Sequence, residues 1–155
     1  FSPFVAQPSI HPNAKANFIG IDQNTSYAEI CHSVAEGVAY IHKYHVDFLK
    51  NSGLPLDTIR LTGGIARSKI WKQIFADVLQ VPIVGVDCEE TGALGSAIAA
   101  GIGAGVYGSY EEAFRKAVKT KAPVMPQIEN YPCYERRYAE WTRVNNMMKG
   151  YWDYK

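Results

Sequence analysis

The fold is decided by the stretch Ile59-Arg60-Leu61-Thr62-Gly63-Gly64-Ile65-Ala66-Arg67-Ser68. An apolar run that stops at two glycines predicts a short strand followed by a turn, and we expect a helix from about Arg67 to Gln80. Apolar residues at helical spacing support that helix and predict its buried face: Ile70, Trp71, Ile74, Phe75 and Val78.

The glycine pair indicates a nucleotide site. Glycine adopts backbone angles closed to other residues and lets another group lie flat against the chain. The leading N–H groups of the following helix favour a phosphate or another anion. A glycine pair after a strand also serves as a plain tight turn, so that alternative stays open. A P-loop is excluded, since the chain has no G-x-x-x-x-G-K-[ST] motif.

Outward from this stretch, strand and helix patterns alternate. Strands are predicted at 17–21, 58–61 and 81–86, and helices at 26–51, 67–80, 91–104, 110–118 and 134–148. Capping-box spacing of Ser26 and Glu29 predicts the start of the first helix. Its predicted buried face is Tyr27, Ile30, Val34, Val38, Ile41, His45 and Phe48. This order predicts an α/β fold with few strands, so we expect strands outside this chain to complete the sheet.

The composition limits the classes of function that the chain can have. The chain has 155 residues, 47% hydrophobic, with net charge +1, which favours one domain and gives no indication of nucleic-acid or membrane binding. Three separated cysteines without a C-x-x-C pair predict a reducing, cytoplasmic setting and no zinc site.

The apolar stretch 92–106 is too short to span a membrane and is interpreted as a buried helix with small residues at a close contact. The prolines Pro123 and Pro126 predict a linker.

Several polar residues that could belong to a metal site or an active site are interpreted as structural. His42 and His45 are spaced as a metal pair could be, but no third ligand is evident, so we expect His45 in the buried face and His42 in water. Asp77 is expected to bond locally. Glu89 and Glu90 are interpreted as favourable charges at a helix N-terminus. The basic cluster, interpreted as a solvated helix end, comprises Arg115, Lys116, Lys119 and Lys121.

Several segments together resemble the FGGY carbohydrate kinases. The resemblance covers nearly all of residues 1–118 in the family's order. Its segments are Phe1–Phe4, His11–Ala16, Phe18–Gly20, Ala35–Tyr40, Leu61–Ser68 with Trp71 and Phe75–Leu79, and Glu90–Ala97. It implies an actin-like, ribonuclease-H-like fold, of which this chain is similar to the second half of the ATP domain. We expect that partial nucleotide-binding domain at 1–122, with a mixed sheet flanked by helices, and a helical extension packed on it at 123–155.

The resemblance also implies a site. Gly64 and Ser68 are expected to contact the nucleotide, Gly63 to shape the turn, and Ile65 and Ala66 to line the adenine or ribose side. The implied cofactors are ATP and Mg²⁺, and the implied partners are a sugar substrate and an N-terminal part of the same kinase. A homodimer stays open.

The catalytic base implied by the family is an Asp upstream of Phe1. No aspartate of this chain stands in the matching context: not Asp22, Asp47, Asp57, Asp77, Asp87 or Asp153. We therefore expect no catalytic residue here and no activity of the chain alone.

Departures from the family motifs bear on the substrate. The stretch Ala6–Ile10 lacks the Gly-Glu-Arg signature of many relatives. The segments His42–His45 and Glu89–Gly92 look most like the L-xylulose and 3-keto-L-gulonate kinase branch. D-xylulose and gluconate kinases remain open, as does a non-enzymatic actin-like ATP-binding module.

Overall fold

The computed structural model describes residues 14–153, and these residues form two short strands and five α-helices. A 3-10 turn, Gly64–Arg67, precedes α2, and a second, Ile128–Asn130, precedes α5. The elements run α1 (Tyr27–Asn51), β1 (Ile59–Leu61), α2 (Lys69–Leu79), β2 (Ile83–Gly85), α3 (Thr91–Gly103), α4 (Tyr110–Ala117) and α5 (Tyr131–Trp152).

The sheet has mixed pairing. Strands β1 and β2 are parallel, with Ile59 opposite Ile83, and α2 is the crossover between them. The segment 119–124 then runs antiparallel along β2: the N–H of Ile83 donates to the carbonyl of Val124 at 3.0 Å, and the N–H of Lys121 to that of Gly85 at 2.8 Å. The predicted linker is therefore wrong for its first part, which adds an extended segment to the sheet edge.

The core lies where α2 packs between α1, β2 and α5. Its largest fully buried side chains are Phe75, Leu79, Ile83 and Val78. The predicted buried face of α2 is confirmed except at Ile70, which is 68% exposed in the first turn of the helix. Asp77 is buried in the same helix and bonds mostly over long range, contrary to expectation. Its carboxylate accepts from the Gln127 N–H and the Asn130 side chain, each at 2.8 Å, as well as from the nearby Gln73.

Helix α1 begins as predicted, and its buried face agrees in part with the predicted one. The capping box is present, with the Ser26 N–H donating to the Glu29 carboxylate at 2.8 Å. The predicted face is wrong at Tyr27, His45 and Phe48, which are exposed. It is confirmed at Ile41, which is buried, and at Val38, which packs against the core. The other buried residues of α1 were not predicted: Ala35, Glu36, Gly37, Ala39, Tyr40 and Val46. His42 is exposed, as predicted, although its ring centroid lies only 5.2 Å from that of Phe75 on α2.

Two further predictions are wrong. The segment 17–21 forms no strand, and only Asn17 takes part in a bridge. Helix α3 forms where it was predicted, but within the described chain it has no buried residue. The motif stretches that fall within 1–13 lie outside the described residues. Between residues 14 and 153, no helix is both long and apolar enough to cross a membrane.

Candidate functional site

A cleft of about 360 Å³ lies beyond the carboxyl ends of β1 and β2. In open α/β sheets, ligands bind outside the carboxyl ends of the parallel strands. The volume falls within the range of small-molecule sites. The lining residues come from the turn after β1, the start of α2, the segment after β2 and the antiparallel edge: Thr62, Gly63, Ala66, Arg67, Lys72, Val86, Asp87, Cys88, Glu89 and Lys121.

The glycine bend is open on its outer side. Gly63 has φ +79° and ψ −167°, a conformation that residues with a Cβ rarely adopt. The φ of Gly64 is not positive. A Cβ built on Gly63 or Gly64 would meet no atom of the described chain within 4 Å. Gly63 is therefore needed for the backbone path, whereas a side chain at Gly64 would project into the open space beside the cleft.

The residues after the bend lead into α2 through a 3-10 turn. The N–H of Ala66 donates to the carbonyl of Gly63 at 3.1 Å, and α2 itself begins at Lys69, two residues later than predicted. Ser68 is the N-cap, and its hydroxyl oxygen accepts from the N–H of Trp71 at 3.3 Å. Because that bond uses only an oxygen lone pair, the hydroxyl proton of Ser68 can still be donated to a ligand.

The five residues predicted for the site occupy one turn but differ in position. Gly63 and Ala66 line the cleft, and Gly64 is exposed next to it. Ile65 packs half-buried against the core, and Ser68 is half-buried at the start of α2. Their contacts with a ligand stay predictions.

Charged residues that were not predicted for the site also line the cleft. Arg67 ends the 3-10 turn, and Lys72 stands in the first turn of α2. Lys121 lies 3.3 Å from the carboxylate of Asp87. Arg67 stands within the glycine motif, so the sequence carried a signal for it. Lys121 carried none, because only its pairing beside β2 brings it here, and its interpretation as part of a helix end is wrong. Cationic groups at such an edge favour an anionic ligand.

The two neighbouring glutamates separate in the structure. Glu90 is the N-cap of α3, so its charge lies at a helix N-terminus as expected, although its side chain forms no capping hydrogen bond. Glu89 instead lines the cleft. Together with Asp87 it places carboxylates among the cations, so the cleft has both signs of charge.

Comparisons with known proteins agree on one family. The model of the FGGY family of carbohydrate kinases, C-terminal domain, matches residues 2–104. The L-xylulose/3-keto-L-gulonate kinase of Escherichia coli is 28% identical over 151 residues, which are 97% of this chain and 30% of that protein. The glycerol kinase of Myxococcus xanthus is 36% identical over 138 residues, which are 88% of this chain and 27% of that protein.

Comparison with solved structures shows that the fold resembles that of sugar kinases. The crystal structure of xylulose kinase from Rhodospirillum rubrum superposes with a TM-score of 0.75 at 24% identity, covering 92% of this chain and 29% of the other. The likeness shows that the helices and the sheet are arranged as in that kinase. The chain spans less than a third of the length of the relatives it matches.

Proposed function

Because the chain belongs to the FGGY family of carbohydrate kinases, as part of its C-terminal domain, we propose that it acts within a kinase that transfers phosphate from ATP to a sugar hydroxyl. Within that kinase, these residues supply the adenosine side of the active site. The observation that carries this proposal is the open bend at Gly63 and Gly64, placed at the carboxyl edge of two parallel strands.

The residues of the bend fit a nucleotide. Bare main chain at Gly64 leaves room for a flat group, and Ala66 adds a small apolar wall to the cleft. Arg67 and Lys72 can attract phosphate charge, and the Ser68 hydroxyl can donate a hydrogen bond. ATP with Mg²⁺ supplies the phosphoryl group, while the residues of this chain bind and orient the nucleotide.

An N-terminal part of the same kinase is the proposed partner. Helix α3 supports this assignment, since it is strongly apolar in sequence yet has no buried residue in the described chain. An apolar helix that buries none of its residues is typical of a contact with another part of a protein. That partner would carry the carboxylate base, and the expectation that the isolated chain is inactive follows from it. The predicted boundary at 122/123 and the cytoplasmic setting stay predictions.

The proposed substrate is a ketopentose such as L-xylulose or a related sugar acid. The relative named as an L-xylulose/3-keto-L-gulonate kinase supports this choice over nearly the whole chain. The glycerol kinase relative has higher identity over a shorter stretch, so glycerol belongs in any substrate panel together with D-xylulose and gluconate.

The test compares two glycine variants in a polypeptide that joins this chain to its N-terminal kinase part. Gly64→Val should weaken binding of a non-hydrolysable ATP analogue by at least about tenfold, roughly 1.4 kcal/mol, and leave sugar affinity unchanged. Gly150→Val is the matched control, since Gly150 is exposed on α5 and a Cβ there also meets no atom within 4 Å. Titration calorimetry measures both ligands.

Two results would contradict the proposal. Equal loss of nucleotide and sugar affinity in Gly64→Val would make the bend purely structural. Sugar-dependent release of ADP by the isolated 155 residues would show that the chain holds its own base. An ATP-binding module without sugar chemistry would bind the analogue but release no ADP with any sugar in the panel.

A further inference from the structure

A second cavity, of about 370 Å³, lies between α1, α5 and the segment 17–20. It shares no lining residue with the cleft at the glycine bend. Its walls are Asn17, Ile19, Gly20, Glu36, Tyr40, Arg137, Glu140, Trp141, Val144 and Asn145.

Two polar side chains that line this cavity are buried without a partner. Tyr40 and Asn145 are each only 4% exposed. The Tyr40 hydroxyl and both the amide nitrogen and the carbonyl oxygen of Asn145 have no hydrogen-bond partner among the described residues. A buried polar group without a partner costs free energy, so native proteins rarely retain one without a reason. Here the unpaired atoms comprise hydrogen-bond donors and acceptors in the walls of one cavity.

The charges of the cavity argue against an anionic ligand. Arg137 is the cation of the lining, and it already forms an ion pair with Glu36. Glu36 also faces His32 at 3.3 Å. The second carboxylate of the lining, Glu140, lies 3.9 Å from the guanidinium of Arg143. A phosphate or a carboxylate would therefore meet no unpaired cation among the lining residues.

Aromatic rings form the apolar part of the wall. The ring centroids of Tyr40 and Trp141 lie 5.9 Å apart. A ligand that suits this cavity needs an apolar face for the rings and several groups that both donate and accept hydrogen bonds. Neutral polyhydroxy compounds meet both requirements.

We propose that this cavity binds a small neutral polyol or monosaccharide through the side chains of Tyr40 and Asn145. The site is separate from the nucleotide cleft and does not depend on the proposed kinase reaction. Pentitols and pentoses are small enough for a cavity of about 370 Å³ and carry the donors and acceptors that it needs, whereas a sugar acid would find no unpaired cation there.

The test measures binding of xylitol to the full chain by ligand-observed NMR, with D-xylose as a second neutral probe and gluconate as the anionic comparison. Tyr40→Phe and Asn145→Leu should each weaken xylitol binding about five- to tenfold, the effect of one lost hydrogen bond. Both variants should retain or raise the melting temperature, because each removes an unpaired buried group. Asn146→Leu is the matched control at the next, exposed position of α5 and should bind xylitol as the unaltered chain does.

Three outcomes would overturn the proposal. The first is the absence of saturable xylitol binding in the millimolar range. The second is binding that Tyr40→Phe and Asn145→Leu leave unchanged, or that gluconate matches in strength. The third is a lower melting temperature in both variants together with unchanged affinity, which would mean that the two side chains serve packing alone.

Discussion

Helices α2 and α3 follow the two strands of the same parallel pair, yet only one of them is buried. In α2 every residue from Ile74 to Leu79 is buried, because α1, α5 and β2 all pack against this helix. Helix α3 consists almost entirely of Gly, Ala, Leu and Ile, but within residues 14–153 it packs mainly on α4 and has no buried residue. Apolar composition therefore shows what a helix can bury, while the surfaces around it decide what it does bury.

The largest expected effect compares the same substitution in the two helices. Ala76 of α2 is fully buried, and Ala97 of α3 is exposed. Ala76→Glu should destabilise the chain by at least about 4 kcal/mol or abolish folding, because it buries an unpaired carboxyl group. Ala97→Glu should change the free energy of unfolding by less than about 0.5 kcal/mol. Urea denaturation followed by circular dichroism measures both.

The variants Ala76→Glu and Ala97→Glu can also be compared in a protein that contains the N-terminal kinase part. If that part covers α3, Ala97→Glu should then reduce stability or the association of the two parts. An unchanged stability of the joined protein would show that α3 faces solvent there too, and the proposed docking through α3 would be wrong.

The next effect concerns how the two helices begin. Ser68 caps α2 with its hydroxyl, whereas Glu90 stands at the cap position of α3 without a side-chain bond. Ser68→Ala should cost about 1 kcal/mol, and Glu90→Ser should raise stability by up to about 1 kcal/mol. Chemical denaturation of both variants at neutral pH measures this. Equal and small effects at the two positions would mean that the cap at Ser68 does not stabilise α2.

The smallest effect tests the α1–α2 contact through pH. Burial beside Phe75 lowers the pKa of His42 below its usual 6.5, and the neighbouring His45 lowers it further. The pKa of His42 is therefore lower in the folded chain than in the unfolded chain. At a pH between these two values the unfolded chain binds more protons, so the free energy of unfolding should fall as pH drops below about 6.5. The free energy of unfolding at pH 7 and pH 5 measures this loss.

Substitution of each histidine isolates this contribution. His42→Gln should reduce the loss of stability at acid pH, because the group that gains the proton on unfolding is gone. His45→Gln, which alters an exposed side chain, should retain most of it. An identical loss in both variants and in the unaltered chain would assign the effect to other groups.

Much of the local structure could be predicted from the sequence because short-range chemistry determines it. The capping box at Ser26, the strand before Gly63 and the buried face of α2 each depend on residues within a few positions of one another. The motif around Gly64, together with the segments 35–40 and 90–97, was sufficient to assign the chain to its family. The predicted face of α1 is wrong at Tyr27, His45 and Phe48, because its periodic residues extend beyond the part of the helix that is buried.

The rest of the candidate site could not be predicted because it depends on contacts between distant segments. Lys121 reaches the cleft only through the antiparallel pairing of 119–124 with β2, which leaves no periodic signal in a proline-rich stretch. The unpaired side chains of Tyr40 and Asn145 stand on helices far apart in the chain, and neither position looks unusual in the sequence.

The order of residues was enough to assign the family, the elements around the glycine bend and the need for glycine at position 63, since these depend on local backbone geometry and adjacent side chains. The folded arrangement was needed to know which apolar faces are covered and which charges meet at the cleft. Burial and charge proximity depend on segments brought together by folding, and a linear pattern does not record those distances.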